Sequence, residues 1–176
     1  MSFEAFDGLI SQMVAEYDLD GTLDHKPLLY GFQQAEETTL RFPGKVLADG
    51  LGNRLFIADT NHNRIVVTEL DGSVKQVIGS GEEGLTDGEL AKSAFNHPQG
   101  MALDSETLYV ADTENHAIRR VDLSSGTVST IAGTGEQGHT QEERGHGTSM
   151  ALVSPFDLVH QERILYIAMA GIHQLW

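Results

Sequence analysis

The chain contains no cysteine in its 176 residues. Disulfides, thiolate metal sites and a dithiol redox centre are therefore excluded within it. Basic residues are scarce as well: eleven Lys and Arg face 26 Asp and Glu, for a formal charge of −15. Such a balance repels phosphate backbones, so nucleic acid is not an expected partner. The acidity is marked early, where Glu4, Asp7, Glu16, Asp18, Asp20, Asp24, Glu36 and Glu37 stand against Lys26 alone. No apolar run approaches the ~20 residues that cross a bilayer, so no membrane role is expected. The basic start and apolar block of a signal peptide are missing from residues 1–30. The expected location is the cytoplasm.

Proline is also rare, and three of the four recur in one context. Leu40-Arg41-Phe42-Pro43 leads to Phe56-Ile57-Ala58-Asp59-Thr60, and Phe95-Asn96-His97-Pro98 leads to Tyr109-Val110-Ala111-Asp112-Thr113. Leu152-Val153-Ser154-Pro155 leads to Tyr166-Ile167-Ala168 in the same way. From proline to alanine is 13 residues in the second and third copies and 15 in the first, whose loop 49–53 is longer. The prolines lie 55 and 57 residues apart, a period that points to one supersecondary unit per repeat.

Within a repeat the pattern predicts four short strands. In the first they fall near 45–49, 54–59, 64–69 and 73–78, with Asp71-Gly72 as a two-residue hairpin turn. Leu55, Phe56, Ile57 and Ala58 offer no polar face and suggest a strand covered on both sides. The second repeat predicts strands at 99–104, 107–112, 117–122 and 127–132, and the third runs out at Trp176 during its third strand. Four antiparallel strands of falling burial make a propeller blade. The fold class expected is therefore all-β, a partial β-propeller preceded by a helix. That helix is read from Phe3, Phe6, Leu9, Ile10, Met13, Val14 and Tyr17, which follow steps of three and four. It needs a surface to pack on. Residues 18–39 read as a polar linker, which divides the chain into a segment 1–39 and a propeller segment 40–176, with repeats at about 40–94, 95–151 and 152–176.

The stretches Ala58-Asp59-Thr60-Asn61-His62-Asn63-Arg64-Ile65 and Ala111-Asp112-Thr113-Glu114-Asn115-His116-Ala117-Ile118 resemble the signature of NHL repeats. The second holds Asn115-His116 in the order that names the family, whereas the first inverts it as His62-Asn63. The third copy keeps His173 but has Met169 at the acidic position. More narrowly, 42–46, 95–100 and 166–174 look like the bacterial relatives of NHL-repeat-containing protein 2. Those proteins join a thioredoxin-like domain to a six-bladed NHL propeller. The resemblance implies that the chain is a fragment holding about two and a half blades of six. Residues 1–39 would close a missing thioredoxin-like domain, and further blades would follow Trp176. It implies a non-catalytic scaffold whose partners are other proteins or that upstream domain. No catalytic centre and no cofactor are expected here, while the intact protein would be a thiol-disulfide oxidoreductase. The alternative is part of a metal-dependent hydrolase or lyase, since some six-bladed propellers of this kind bind metal in the central channel.

Two other motifs have chemical readings. Asp18-Leu19-Asp20-Gly21-Thr22-Leu23 matches the first motif of haloacid-dehalogenase-type phosphatases, which needs a buried strand end before it. Here a helix precedes it, and a helix-ending glycine turn is the expected account. Gly79-Ser80-Gly81-Glu82-Glu83-Gly84 and Gly133-Thr134-Gly135-Glu136-Gln137-Gly138 both fit GxGxxG after a strand. A dinucleotide site requires a helix next, and the acids would oppose phosphate, so blade connections are expected instead.

The candidate binding residues are Asp59, His62, Asp112, His116 and His173, which recur at one end of the second strand. Around a common axis they could converge on a metal. The repetition favours a structural role, in which each Asp and His satisfies turn amides and ties strand two to strand three.

Overall fold

In a computed structural model, residues 3–23, 38–139, 145–171 and 173–176 are described. The linker expected at 18–39 falls largely outside them. The chain divides into two units, Met1–Glu37 and Thr38–Trp176. In the first, helix α1 spans Phe3–Leu19. Leu9, Ile10, Met13, Val14 and Tyr17 of its apolar stripe are exposed, so the stripe expected to find a packing surface is uncovered.

The second unit is built of three antiparallel sheets. Strands β1 (Lys45–Asp49), β2 (Arg54–Asp59), β3 (Arg64–Glu69) and β4 (Val74–Ile78) follow one another in order. The second sheet runs β5-β9-β8-β7-β6, from β5 (Gly88–Glu89), β6 (Pro98–Asp104), β7 (Thr107–Asp112), β8 (Ala117–Asp122) and β9 (Thr127–Ala132). The third holds β10 (Pro155–Gln161), β11 (Ile164–Met169) and β12 (Gln174–Leu175). The expected pairings of 54–59 with 64–69 and of 107–112 with 117–122 are present in full register.

Burial follows the alternation of a pleated strand. One face of the first sheet carries Phe56, Ala58, Ile65 and Val67, which pack on Met101, Leu108, Val110 and Val121 of the second. The opposite face of the second sheet, with Ala102, Ala111 and Ile118, packs on Leu152, Leu158 and Met169. Each inter-blade core is thus one face of one sheet against the reverse face of the next. The second blade is covered on both sides. In contrast, Leu55 and Ile57 of β2 are only partly buried, which corrects the expectation of a strand covered on both faces.

Two further details differ from the pattern. Asp71-Gly72 is not a two-residue turn: Gly72 N–H donates to Glu69 O at 3.0 Å and Glu69 N–H to Ser73 O at 2.9 Å. Leu70, Asp71 and Gly72 form a three-residue loop in which Gly72 alone takes positive φ (89°), the type I turn plus left-handed residue typical of such hairpins. The glycine-rich connection after β4 also does more than connect. It returns as β5 and adds an edge strand to the second blade, pairing Gly88 with Val128 and Glu89 with Thr127.

The inner strands converge. Gly100 of β6 lies so close to β10 that a Cβ there would stand 2.4 Å from Asp157 Cα, so only glycine fits. Lys45 Nζ of β1 reaches past β6 to Asp157 Oδ2 at 2.7 Å, so the three blades bend round a common axis.

Candidate functional site

Asp59 ends β2 and Asp112 ends β7, and both are fully buried. A carboxylate without water must be met by donors. Asp59 accepts Arg41 N–H at 2.6 Å, His62 Nδ1 at 2.8 Å and Arg64 Nε at 2.8 Å. Asp112 accepts Asn96 N–H at 2.7 Å, Asn115 Nδ2 at 2.8 Å and Arg119 Nη1 at 2.7 Å. The donor sets correspond: the amide two residues before the blade's proline, the side chain three residues after the Asp, and an arginine of the third strand. The two arginines sit one period of the strand apart and so share a face. Each also donates to the carbonyl four residues before its proline, Arg64 Nη2 to Thr39 O at 3.0 Å and Arg119 Nη1 to Ala94 O at 2.7 Å. This pair fastens the segment entering a blade to the corner between strands two and three.

Arg119 does more. It is fully buried, its Nη2 donates to Thr86 O at 2.8 Å and Asp87 Oδ1 at 2.9 Å, and its guanidinium lies 5.0 Å over the Phe95 ring. It therefore holds the 80–95 excursion against the second blade. Burial pushes the Asp112 carboxyl up from its ordinary range, while the Arg119 guanidinium and the Asn115 and Asn96 donors pull against that.

The same motif also grips the following blade. Thr60 Oγ1 donates to Pro98 O at 2.8 Å and Thr113 Oγ1 to Pro155 O at 2.7 Å. Asn63 and His116 stand at equivalent left-handed positions, with φ of 51° and 47°. Asn63 Oδ1 accepts His97 N–H at 3.0 Å, and His116 Nδ1 accepts Ser154 N–H at 3.1 Å. These acceptors reach the residue just before the next proline. The inversion of His62-Asn63 relative to Asn115-His116 thus preserves function at each position: the first supplies a donor to the blade's Asp and the second an acceptor to the next blade. His116, partly desolvated, has its pKa lowered by that burial.

The third copy departs from this scheme. Buried Met169 stands at the Asp position and Ala170 at the Thr position, so neither bond is possible. His173 keeps the left-handed conformation (φ 54°) with an exposed side chain. Its neighbour Ile172 lies outside the described residues.

The sequence-derived residues are therefore placed blade by blade rather than together. Asp59 and His62 meet, Asp112 and His116 serve separate bonds, and His173 makes no hydrogen bond among the described residues. Among the described residues no group of three or more His, Cys, Asp or Glu side chains is positioned to hold a metal ion. Thr60, Thr113, Asn63, Asn115, Arg64 and Arg119 were missed as site residues, although the Asp-Thr pair is repeated at both copies.

The remaining motifs resolve structurally. Asp18-Leu19-Asp20-Gly21-Thr22-Leu23 closes α1: Gly21 takes φ 72°, Leu23 N–H returns to Tyr17 O, and Thr22 N–H donates to Asp20 Oδ1. No α-helix follows either GxGxxG among the described residues; a single 3₁₀ turn at Gly147–Ser149 is all that comes after the second. Gly133 has φ 95°, and a Cβ there would lie 2.2 Å from His116 O, which is what the first glycine is for.

Fold and clamp together define a class, a repeat-built β-propeller in which each blade is tied to the next through the end of its second strand. The NHL repeat model matches residues 95–121. The chain is 46% identical over 145 residues to NHL repeat-containing protein 2 of Gallus gallus and of Homo sapiens, matching 78% of this chain and 20% of each relative. It is 42% identical over 180 residues to Protein SUPPRESSOR OF QUENCHING 1, chloroplastic, of Arabidopsis thaliana, matching 97% of this chain and 17% of that protein. The chain belongs to the NHL-repeat proteins and spans about a fifth of the length of these relatives. Among solved structures, a Bacteroides thetaiotaomicron protein of unknown function superposes with TM-score 0.62 at 23% identity, over 74% of this chain and 33% of that one. An auxiliary nutrient binding protein from the same organism superposes with TM-score 0.59 at 20% identity, over 74% of this chain and 35% of that one. At these identities the likeness concerns the fold.

Proposed function

We propose that this chain is a non-catalytic NHL-repeat scaffold that presents protein-docking surface beside a thioredoxin-like redox domain carried upstream on the same polypeptide. One observation carries the scaffold reading. The polar side chains of the repeated motif are spent on joining segment to blade and blade to blade, with Asp59, Thr60, His62, Asn63 and Arg64 all engaged in the first copy. A metal-dependent hydrolase or lyase needs several such groups turned toward one point with an open coordination position. The redox part of the reading rests on chemistry: disulfide exchange needs a thiolate, and a chain without cysteine must take it from elsewhere. The match that reaches 97% of the chain shows that residues ahead of the propeller belong to the relationship too. The cytoplasm is part of this proposal; the plant relative's name places that protein in the chloroplast, and no helix among the described residues is long and apolar enough to cross a membrane.

Metal analysis of the purified protein tests the scaffold. Less than one tenth of an equivalent of bound metal is the expected result, in the wild type and in His116→Ala alike. Stoichiometric zinc or calcium, released by that substitution, would install the hydrolase or lyase reading instead. For the redox domain, the source DNA read in frame ahead of Met1 should encode a thioredoxin-like segment with a Cys-x-x-Cys-type motif, and its lack would remove that part of the proposal.

A further inference from the structure

The two joints between blades share one plan but differ at both ends. In the first joint Asn63 accepts the His97 N–H at one end, and at the other Leu103 packs against the core cluster that holds Phe56. Leu103 pairs with Leu108 and His160 with Leu165, so His160 is the third blade's counterpart of Leu103, as Tyr109 is the second blade's counterpart of Phe56. The second joint therefore carries a histidine at each end, His116 on Ser154 and His160 on Tyr109, where the first has an amide and an aliphatic side chain.

A proton acts on the two ends with opposite sign. His116 Nδ1 accepts Ser154 N–H at 3.1 Å, so a hydrogen on that nitrogen sets two donors against each other. Around the ring stand Glu114 at its own corner and Glu136 and His139 from the connection after β9, and burial lowers its pKa in spite of the two acids. The opened contact accordingly binds the proton more readily than the closed one. The bond is fully present above the ordinary histidine value near ~6.5 and is lost as pH falls below it.

His160 reaches across the joint with the reverse outcome. Its ring stacks on Tyr109 with centroids 5.6 Å and planes 24° apart, and its Nε2 stands 3.8 Å from Asp104 Oδ2. These are the ionisable groups that β7 and β6 set against it. A proton on this ring gives Asp104 a cation to pair with and lays a cation over the face of Tyr109. Ser154 and His160 are six residues apart on one extended run, a span of about 20 Å. Between them the second blade holds β10 through Thr113 Oγ1 on Pro155 O and through the near contact of Gly100 with Asp157.

We infer that the joint between the second and third blades is a pH-operated device: acidification releases its Ser154 end and tightens its Asp104 end about the fixed contacts at Pro155 and Asp157. The joint between the first and second blades, with Asn63 and Leu103 in these places, does not respond. The device stands apart from the scaffold reading, since it needs neither a partner nor an upstream domain.

Magnetic resonance on the isotope-labelled full chain between pH 7.5 and 5.0, the range in which histidines change charge, tests it. With intrinsic exchange rates divided out, protection of the Ser154 N–H is expected to fall about tenfold relative to that of His97. Over the same range the cross-relaxation between the His160 and Tyr109 rings strengthens. His116→Asn, which installs the first joint's residue, abolishes the change at Ser154 and leaves the change at the rings. Asp104→Asn does the reverse. Ser154 protection that tracks His97 throughout would overturn the releasing end, and ring contacts that weaken or stay constant would overturn the tightening end. Both amides losing protection together would mean general acid unfolding and would also sink the device. Should Asp104→Asn fail to fold, His160→Phe keeps an aromatic ring on Tyr109 without a site for the proton. Its ring contacts should ignore pH, and contacts that still strengthened in acid would count against His160 as the group that responds.

Discussion

At the scale of single residues, His116 does by hydrogen bonding what Asn63 does one blade earlier, and this equivalence can be tested. Replacing His116 by Asn keeps an acceptor and a residue tolerant of positive φ, so the stability at pH 7.5 stays close to the wild type. Replacing it by Ala orphans the Ser154 N–H and puts a Cβ-bearing residue without a local hydrogen bond at φ 47°, and chemical denaturation should show a loss of ~1–3 kcal/mol. Acidification separates His from Asn. Burial lowers the native pKa of His116, so the unfolded chain takes up this proton first as pH falls. The contribution is fully present above the ordinary histidine value near ~6.5 and drains away below it, until the native ring is protonated too. Protonation puts a hydrogen on Nδ1 and ends its role as acceptor. Between pH 7.5 and 5.5 the wild type should therefore lose stability relative to His116→Asn, and parallel curves would show that the ring does not titrate with folding. The five candidate residues were legible as a recurring pattern, and four of them, Asp59, His62, Asp112 and His116, make hydrogen bonds within or between blades. Their partners were not legible. Thr113 bonds a carbonyl 42 residues away and Asn63 an amide 34 residues away, and no local spacing encodes such distances.

At the scale of elements, strand positions were legible because apolar alternation and proline-marked entry repeat, and the register of β2 with β3 and of β7 with β8 followed from loops too short to allow another. The edge strand β5 was not legible. Gly88-Glu89 has little strand character, and what fixes the segment is Arg119 and the backbone of β9. Nor could composition reveal that Leu55 and Ile57 lie on a half-open face, since a strand facing a neighbour and one lacking it read alike. The close approach of β6 to β10 rests on Gly100, where a side chain would also strike Phe156 O at 2.6 Å. Because the obstacles are backbone, relief requires the strands to part. Gly100→Ala should lower stability by ~1–3 kcal/mol and open the contact between the second and third blades. Gly50→Ala, which meets nothing within 4 Å, is the control expected to stay within ~0.5 kcal/mol. Equal effects of the two in thermal unfolding would place the inner strands farther apart than the geometry has them.

At the scale of the whole molecule, a stack of blades behaves as a line of units, each stabilised by its neighbours. Among the described residues the second blade alone has both faces covered, with Leu108, Val110, Ala111, Ile118 and Val121 fully buried, and it receives the clamps from Asn63 and Thr60 while sending those from His116 and Thr113. The third blade contributes Met169 and Ala170 where the other copies have Asp and Thr, and its last strand is Gln174–Leu175. Protection should therefore be graded rather than uniform. Amide exchange should be slowest at Val110 and Ile118, in the blade held from both sides. It should be on the order of a hundredfold faster in β11, where opening removes only one inter-blade face. The helix α1, with its apolar stripe exposed, should exchange fastest, since a helix of 17 residues draws little stability from propensity alone. One common exchange rate across β2, β7 and β11 would mean that the three blades open as a single cooperative unit, and that the clamps between them outweigh the difference in how many neighbours each blade has.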